Sequence, residues 1–305
     1  MSQKKLIVII GPTGIGKTQL AIEVAKVFDT EILSSDSRQF FKEMKIGTAV
    51  PSHEELSQIK HHFIQHISIE QEYNVGEFER DAMKFIQNFF KEKDVLIMAG
   101  GSGLYEKAVT EGLNDFPEVD KSVRNNLMNE LHQFGIQKLQ EELKDKDPVY
   151  AANLDLENTQ RVIRALEIIR STNRTFSSYL ADSLTQRSFD VIKIGIDADR
   201  QIIYDRINHR VDTMLDAGLV EEVKALCAFR DLNALQTVGY KEIFRYLEGE
   251  ISLEFAISEI KKNTRRFAKR QLTWYRKDEK VNWFDYQETQ KVIDFLQKEI
   301  QSSQS

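Results

Sequence analysis

The sequence predicts an α/β fold: a parallel sheet flanked by helices, with a small helical domain inserted between two of its strands. Three observations lead there. Short apolar runs alternate with helix-length amphipathic segments over the first hundred residues. A glycine-rich loop joins the first run to the first helix. Strand-like runs then vanish between about residues 117 and 186 and return afterwards.

Residues 6–10 form a short, continuous apolar run ending in glycine, the pattern of a buried parallel strand. Residues 19–28 read as a helix, and residues 31–35 as a second strand ending at Asp36. Residues 78–91 place Phe78, Ala82, Phe85, Ile86 and Phe89 at helical spacing. Residues 95–99 are a third strand, stopped by Gly100-Gly101, and residues 191–196 a fourth. Between 117 and 186 the periodicity predicts helices over 123–134, 136–143 and 159–170. After 196 it predicts helices over 200–215, 220–229, 240–247 and 253–275. The expected organisation is a core of residues 1–116 with 187–305, and an insertion of residues 117–186. The polar tail 301–305 is expected to fray.

Composition narrows the class. With 41% hydrophobic and 30% charged residues, the chain has an ordinary globular balance. No apolar run approaches the roughly 20 residues that span a bilayer. The N-terminus leads straight into the first strand without the shape of a secretory signal. A single cysteine, Cys227, excludes an internal disulfide and a cysteine-based zinc site. These features predict a cytoplasmic protein that makes no use of a membrane.

The segment Gly11-Pro12-Thr13-Gly14-Ile15-Gly16-Lys17-Thr18 fits the pattern G-x-x-x-x-G-K-[ST] in full, between a strand and a helix. This makes the predicted sheet P-loop NTPase-like. The glycines let backbone N–H groups turn toward a phosphate, and the helix N-terminus adds its dipole. Lys17 neutralises phosphate charge, and the Thr18 hydroxyl suits Mg²⁺. The loop predicts binding of a nucleotide such as ATP, or of another diphosphate-bearing ligand. Kinases, NTPases and a few prenyl transferases share it, so it does not name a reaction.

Asp36-Ser37-Arg38-Gln39 follows the second strand. The carboxyl ends of parallel strands face the ligand crevice, where a carboxylate can accept a proton or a hydrogen bond from substrate. Asp36 could equally cap a following helix.

The net charge of −6 argues at first against nucleic acid, but its distribution does not. Residues 261–280 hold nine Lys or Arg and two acids, a net of +7, which leaves −13 for the rest. At 100° per residue, the eight basic residues from Lys261 to Lys277 fall on one half of a helix. Phe267, Ala268, Trp274 and Tyr275 fall on the other. The expectation is a helix that packs its aromatic side and presents a basic face to a phosphate backbone. A solvated charged face is the plainer reading, but such faces mix both signs and residues 261–277 contain no acid.

The ordered set GPTGIGKT (11–18), DSRQFF (36–41), MKIGTAVP (44–51), HHF (61–63), GGSGLY (100–105), QRVIRALE (160–167), VGYKE (238–242) and KRQLTWYR (269–276) resembles the tRNA dimethylallyltransferases, also called tRNA isopentenyl transferases. The resemblance runs from about residue 6 to 285. Two departures are visible: Phe41 stands where the family usually has Tyr, and Ser102 where it has Thr. There is no Cys/His zinc-finger pattern, so the chain resembles the shorter bacterial form.

The resemblance implies transfer of a dimethylallyl group from dimethylallyl diphosphate to the exocyclic amine of an adenine. That adenine lies just 3′ of the anticodon in tRNAs reading codons that begin with U. The phosphate loop would then hold a leaving group, with Mg²⁺ at Thr18. Lys17 and Arg210, the latter in the stretch 206–210, would stabilise the departing diphosphate, although Arg210 could be a surface helix arginine. Asp36 would contact the attacking amine as general base or hydrogen-bond acceptor. Ser102 would hold the diphosphate or orient the amine. RNA contacts are implied for Asp36, Ser37, Arg38, Gln39, Ser102 and Arg124. They are implied also for Gln160, Arg161, Val162, Ile163 and Arg164 in the insertion. A third group is Gln236, Thr237, Val238, Gly239, Tyr240 and Lys241. The last is Lys269, Arg270, Gln271, Leu272, Thr273, Trp274, Tyr275 and Arg276. Helix salt bridges would account equally well for Arg161 and Arg164, three apart on one face. The anticodon stem-loop is the expected partner of a monomer. The competing readings are an adenylate isopentenyl transferase acting on free AMP, ADP or ATP, a small-molecule P-loop kinase, and a nucleotide-binding regulator.

Overall fold

A computed structural model describes residues 3–180 and 186–302. In chain order, β1 (Lys5–Ile10) leads through the glycine-rich loop into α1 (Lys17–Val27). Then come β2 (Ile32–Ser34), α2 (His53–Gln58), β3 (His61–His62), α3 (Val75–Phe89), β4 (Val95–Ala99) and α4 (Gly103–Glu111). Five helices follow without a strand: α5 (Lys121–Phe134), α6 (Ile136–Lys146), α7 (Pro148–Ala152), α8 (Thr159–Thr172) and α9 (Phe176–Leu180). The chain returns through β5 (Asp190–Asp197), α10 (Arg200–Asp216), α11 (Leu219–Ala225), α12 (Tyr240–Leu247), α13 (Leu253–Tyr275), β6 (Val281–Asp285) and α14 (Thr289–Ser302). Of the tail 301–305 expected to fray, Gln301 and Ser302 continue α14, and residues 303–305 lie outside the described residues. Among the described residues, no helix is long and apolar enough to cross a membrane.

The six strands form one parallel sheet in the order β3-β2-β4-β1-β5-β6, an α/β fold of the P-loop type. β1 sits inside the sheet between β4 and β5, and all six of its residues are buried. Its apolar residues pack on both faces, Leu6, Val8 and Ile10 in one cluster and Ile7 and Ile9 in the other. That two-sided burial explains the unbroken apolar run; each such side chain contributes about 1.5–3 kcal/mol. β3 and β6 escape the sequence pattern because one has two residues and the other alternates weakly. Residues 220–229, expected as one helix, divide into α11 and a 3₁₀ turn at Cys227–Phe229.

The chain divides into two compact units, residues 1–110 with 187–305 and residues 111–186. The second opens at Glu111, earlier than 117, because α4 runs on to that residue. Its core gathers Leu127, Leu139, Leu143, Val162, Ile163 and Leu166. Inside it the buried Glu167 carboxylate accepts from Arg124 at 2.8 Å and Arg164 at 3.2 Å.

Candidate active site

Parallel pairing brings three strand ends together at one edge of the sheet. β1 delivers the phosphate loop, β4 delivers Gly100–Ser102, and β2 delivers Asp36. Gly11 turns the loop away from β1 at φ +152, and a Cβ there would lie 2.5 Å from the Ile196 carbonyl. The N–H groups of Gly14, Gly16, Lys17 and Thr18 remain open for an anion. The Thr18 hydroxyl likewise has no partner among the described residues.

Two cations face this loop. Among the described residues, Lys17 donates only to its own loop carbonyls, Gly11 at 3.1 Å and Pro12 at 2.9 Å. Burial pulls its pKa down to about 8; nearby Asp36 opposes that shift and Arg210 adds to it. Arg210, on α10, is half-buried and makes no hydrogen bond or ion pair among the described residues. Burial lowers its pKa as well, against the pull of Asp36 and Glu55. One turn earlier on the same helix face, Arg206 donates to the Gly14 carbonyl at 2.8 Å and braces the loop. The i, i+4 spacing of the two arginines was visible in the sequence, but the brace was not foreseen.

A diphosphate bound here would raise the Lys17 pKa, so binding takes up a proton at pH values above about 8. Pyrophosphate affinity is therefore expected to fall as pH rises through that value, by up to about tenfold per unit. Lys17→Arg, whose charge does not titrate in this range, should flatten the profile in a calorimetric titration from pH 7 to 9.5. Equal slopes for the two proteins would remove Lys17 from the diphosphate site.

Asp36 opens a turn rather than a helix, which removes the helix-cap reading. Its Oδ1 accepts the Arg38 N–H at 3.1 Å, and Oδ2 has no hydrogen-bond partner among the described residues. The turn is anchored by Phe40, stacked on Phe78 at 5.1 Å and edge-on to Tyr105 at 5.7 Å. Phe41 is buried and bridged to Ile67. The Ser102 hydroxyl accepts the Ser37 N–H at 3.1 Å and pairs with the Ser37 hydroxyl at 3.0 Å. It thus orders the turn that carries Asp36.

A cleft of about 590 Å³ opens beside these groups, lined by Asp36, Ser102, Arg210, Arg270 and Trp274 among others. Another part of its lining comes from residues 47–48, 236–239 and 241. Glu222 fixes that part, a role the sequence did not signal because its partners are distant. One carboxylate accepts the N–H groups of Lys45, Ile46 and Gly47 and the Tyr240 hydroxyl, at 2.6 to 3.0 Å.

Several residues implied as RNA contacts turn inward. Tyr240, Gln271 and Tyr275 are buried in the first unit, and Val162 and Ile163 in the second. Arg38 donates to the Ala234 carbonyl at 3.2 Å, and Gln39 to the Ala49 carbonyl at 2.9 Å. Arg124 and Arg164 are held by Glu167, which leaves Arg161 exposed with no acid partner among the described residues.

The basic helix also differs from expectation. Its packed stripe is Ala256, Ile260, Ala268, Gln271 and Tyr275, while Phe267 and Trp274 are 38% and 40% exposed at the cleft. Lys261, Lys262 and Arg276 pair with Asp212, Glu259 and Asp197. Arg265 donates to Asn208. Arg266, Lys269 and Lys277 are exposed without an acid partner among the described residues, and Arg270 rests over the Phe267 ring. The free basic face is thus four residues wide, edged by two aromatics.

A parallel sheet with a glycine-rich phosphate-type loop, two cations without ion-pair partners among the described residues and a nearby carboxylate places the chain in the P-loop class of folds. The IPP transferase family model matches residues 39–278, and the chain belongs to that family, the tRNA dimethylallyltransferases, which are prenyl transferases. It is 56% identical to the tRNA dimethylallyltransferase of Christiangramia forsetii, over 97% of this chain and 98% of that protein. It is 49% identical to the tRNA dimethylallyltransferase of Flavobacterium johnsoniae, over 98% of this chain and 99% of that one. Among solved structures it resembles a tRNA isopentenylpyrophosphate transferase from Bacillus halodurans with a TM-score of 0.74 and 35% identity, covering 99% and 98% of the two chains. It also resembles a eukaryotic dimethylallyltransferase acting on tRNA, with a TM-score of 0.78 and 27% identity, covering 93% of this chain and 74% of that one.

Proposed function

We propose that this chain transfers a dimethylallyl group from dimethylallyl diphosphate to the exocyclic amine of the adenine just 3′ of the anticodon, in tRNAs reading codons that begin with U. The observation that carries the reading is the pair Lys17 and Arg210, two cations without acidic partners beside the phosphate loop, facing a carboxylate with a free oxygen. In the reaction the C–O bond of the diphosphate ester breaks as the C–N bond to the amine forms. Pyrophosphate leaves, held by the loop N–H groups, Lys17 and Arg210. The amine proton passes to Asp36 Oδ2 and then to solvent. That transfer matters because an adenine amine is a poor nucleophile, its lone pair being delocalised into the ring.

The open Thr18 hydroxyl fits Mg²⁺, a hard cation that takes few protein oxygens and fills its shell with phosphate oxygens and water. Bound there, it would supply Lewis-acid neutralisation of the leaving group.

The target adenine must leave its stack to reach Asp36, which costs less in a single-stranded loop than in a duplex. Arg266, Lys269, Arg270 and Lys277 suit the phosphate backbone, and Phe267 and Trp274 suit unstacked bases. Arg161 is the insertion residue best placed to meet RNA. Arg266→Ala with Arg270→Ala should weaken tRNA binding and flatten the log–log salt slope by about 1.4 to 1.8, the share of two phosphate contacts. An unchanged slope would take α13 out of the interface.

The test of the reaction is incubation with dimethylallyl diphosphate, Mg²⁺ and unmodified tRNA, followed by mass spectrometry of the nucleosides. Prenylated adenosine from tRNA supports the reading. Product on free AMP alone would indicate an adenylate isopentenyl transferase, and ATP-dependent phosphorylation of a small molecule would indicate a kinase.

A further inference from the structure

The buried side chain of Gln271 lies on α13 between the exposed basic residue Arg270 and the cleft aromatic Trp274. Its motif suggests RNA, but its amide points into the protein. Oε1 accepts the Thr13 N–H of the phosphate loop at 2.8 Å. Nε2 donates to the Gly101 carbonyl at 2.7 Å. The approach is close enough that a Cβ on Gly101 would meet Nε2 at 2.5 Å. One turn on, Trp274 packs against Gly103 in the same way. Gly101 adjoins Ser102, whose hydroxyl holds Ser37 next to Asp36. A continuous path therefore runs from the loop suited to the leaving group, through one amide, to the turn that carries the proton acceptor.

We infer that Gln271 is a positioning residue that sets the distance and angle between the diphosphate loop and Asp36. The inference rests on the proposed transfer reaction. Displacement at carbon needs leaving group, carbon and amine in line, and the first and last are held by different strand ends. A primary amide suits the junction because one group presents an acceptor to an N–H and a donor to a carbonyl. Buried, both bonds also resist exchange with water.

Gln271→Met keeps side-chain length and removes both bonds. With both substrates saturating, its single-turnover rate is expected to fall between about tenfold and 10²-fold, the penalty of misplacement by about 1 Å. Its tRNA dissociation constant should stay within about threefold of wild type. Equal losses in rate and affinity would make Gln271 an RNA contact and overturn the inference, as would an unchanged rate. Gln271→Glu gives a second readout should the first variant lose stability. Its carboxylate keeps the acceptor for Thr13 but repels the Gly101 carbonyl, whereas its protonated form restores a donor. Its rate relative to wild type should climb about fivefold or more as pH falls from 8 to 6, since a buried carboxyl titrates above its usual range; a flat ratio overturns the inference. If wild type fails to prenylate tRNA, the proposed reaction fails first. The brace is then read from hydrogen exchange at the Thr13 amide, which should quicken about tenfold or more in Gln271→Met. Exchange at the wild-type rate would overturn it.

Discussion

Asp36→Ala is expected to lower the single-turnover rate by about 10²–10⁴-fold, the contribution of a positioned general base, with little change in tRNA affinity. The carboxylate is divided in its work: Oδ1 closes the turn onto the Arg38 N–H, and Oδ2 is open. Alanine removes both functions, so Asp36→Asn is the sharper variant. It keeps an oxygen for the Arg38 N–H and loses the ability to take a proton. If Asp36 acts as the base, the Asn variant should be as slow as the Ala variant. A rate near wild type for Asn, with Ala slow, would reduce Asp36 to a turn-former. The comparison belongs near pH 7, where Lys17, with its pKa of about 8, keeps its proton in wild type.

Arg210→Met is expected to lower the rate by about 10²–10³-fold, the range for removing one donor from a developing oxyanion. The argument rests on an imbalance. A half-buried guanidinium without an ion-paired acid among the described residues costs solvation, which the more distant Asp36 and Glu55 offset only in part. On the proposed reaction, that charge is retained for the diphosphate it would meet. The Met variant should therefore melt no lower than wild type, and Arg210→Lys should not rescue the rate, because an ammonium lacks the planar fork. A variant that loses stability and activity together would make Arg210 a structural residue. Thermal denaturation beside single-turnover kinetics separates the two.

What could be read from the sequence follows from how local each feature is. The phosphate loop was legible because its strand, turn and helix are contiguous over residues 5–27. Asp36 was legible because it ends a strand, and parallel strands present their ends to one crevice. The helical wheel found the basic face of α13 and the packing of Ala268 and Tyr275, but misplaced Phe267 and Trp274. A wheel says which residues share a face, not which neighbour covers it. Here the contact stripe uses small residues, Ala256 and Ala268, and leaves Phe267 and Trp274 beside the cleft. Glu222 gave no signal and Gln271 only one for RNA, because the partners that fix their roles are remote in sequence. Four of the eight expected basic residues are tied to acids or an amide on the same or neighbouring segments, which no single-helix count reveals.

The central strand has a history imposed by its neighbours. β1 leaves the ribosome long before its register partner on one side, because Asp190, opposite Lys5, comes only after the whole insertion. At about 5–20 residues per second, that interval is roughly ten to forty seconds. Throughout it, a strand that is apolar but for Lys5 has at least one unpaired edge. The insertion, built on helix contacts close in sequence, can complete its own core in that time. The nascent chain therefore carries an unfinished sheet beside a finished helical domain, and chaperone demand should peak before β5 emerges.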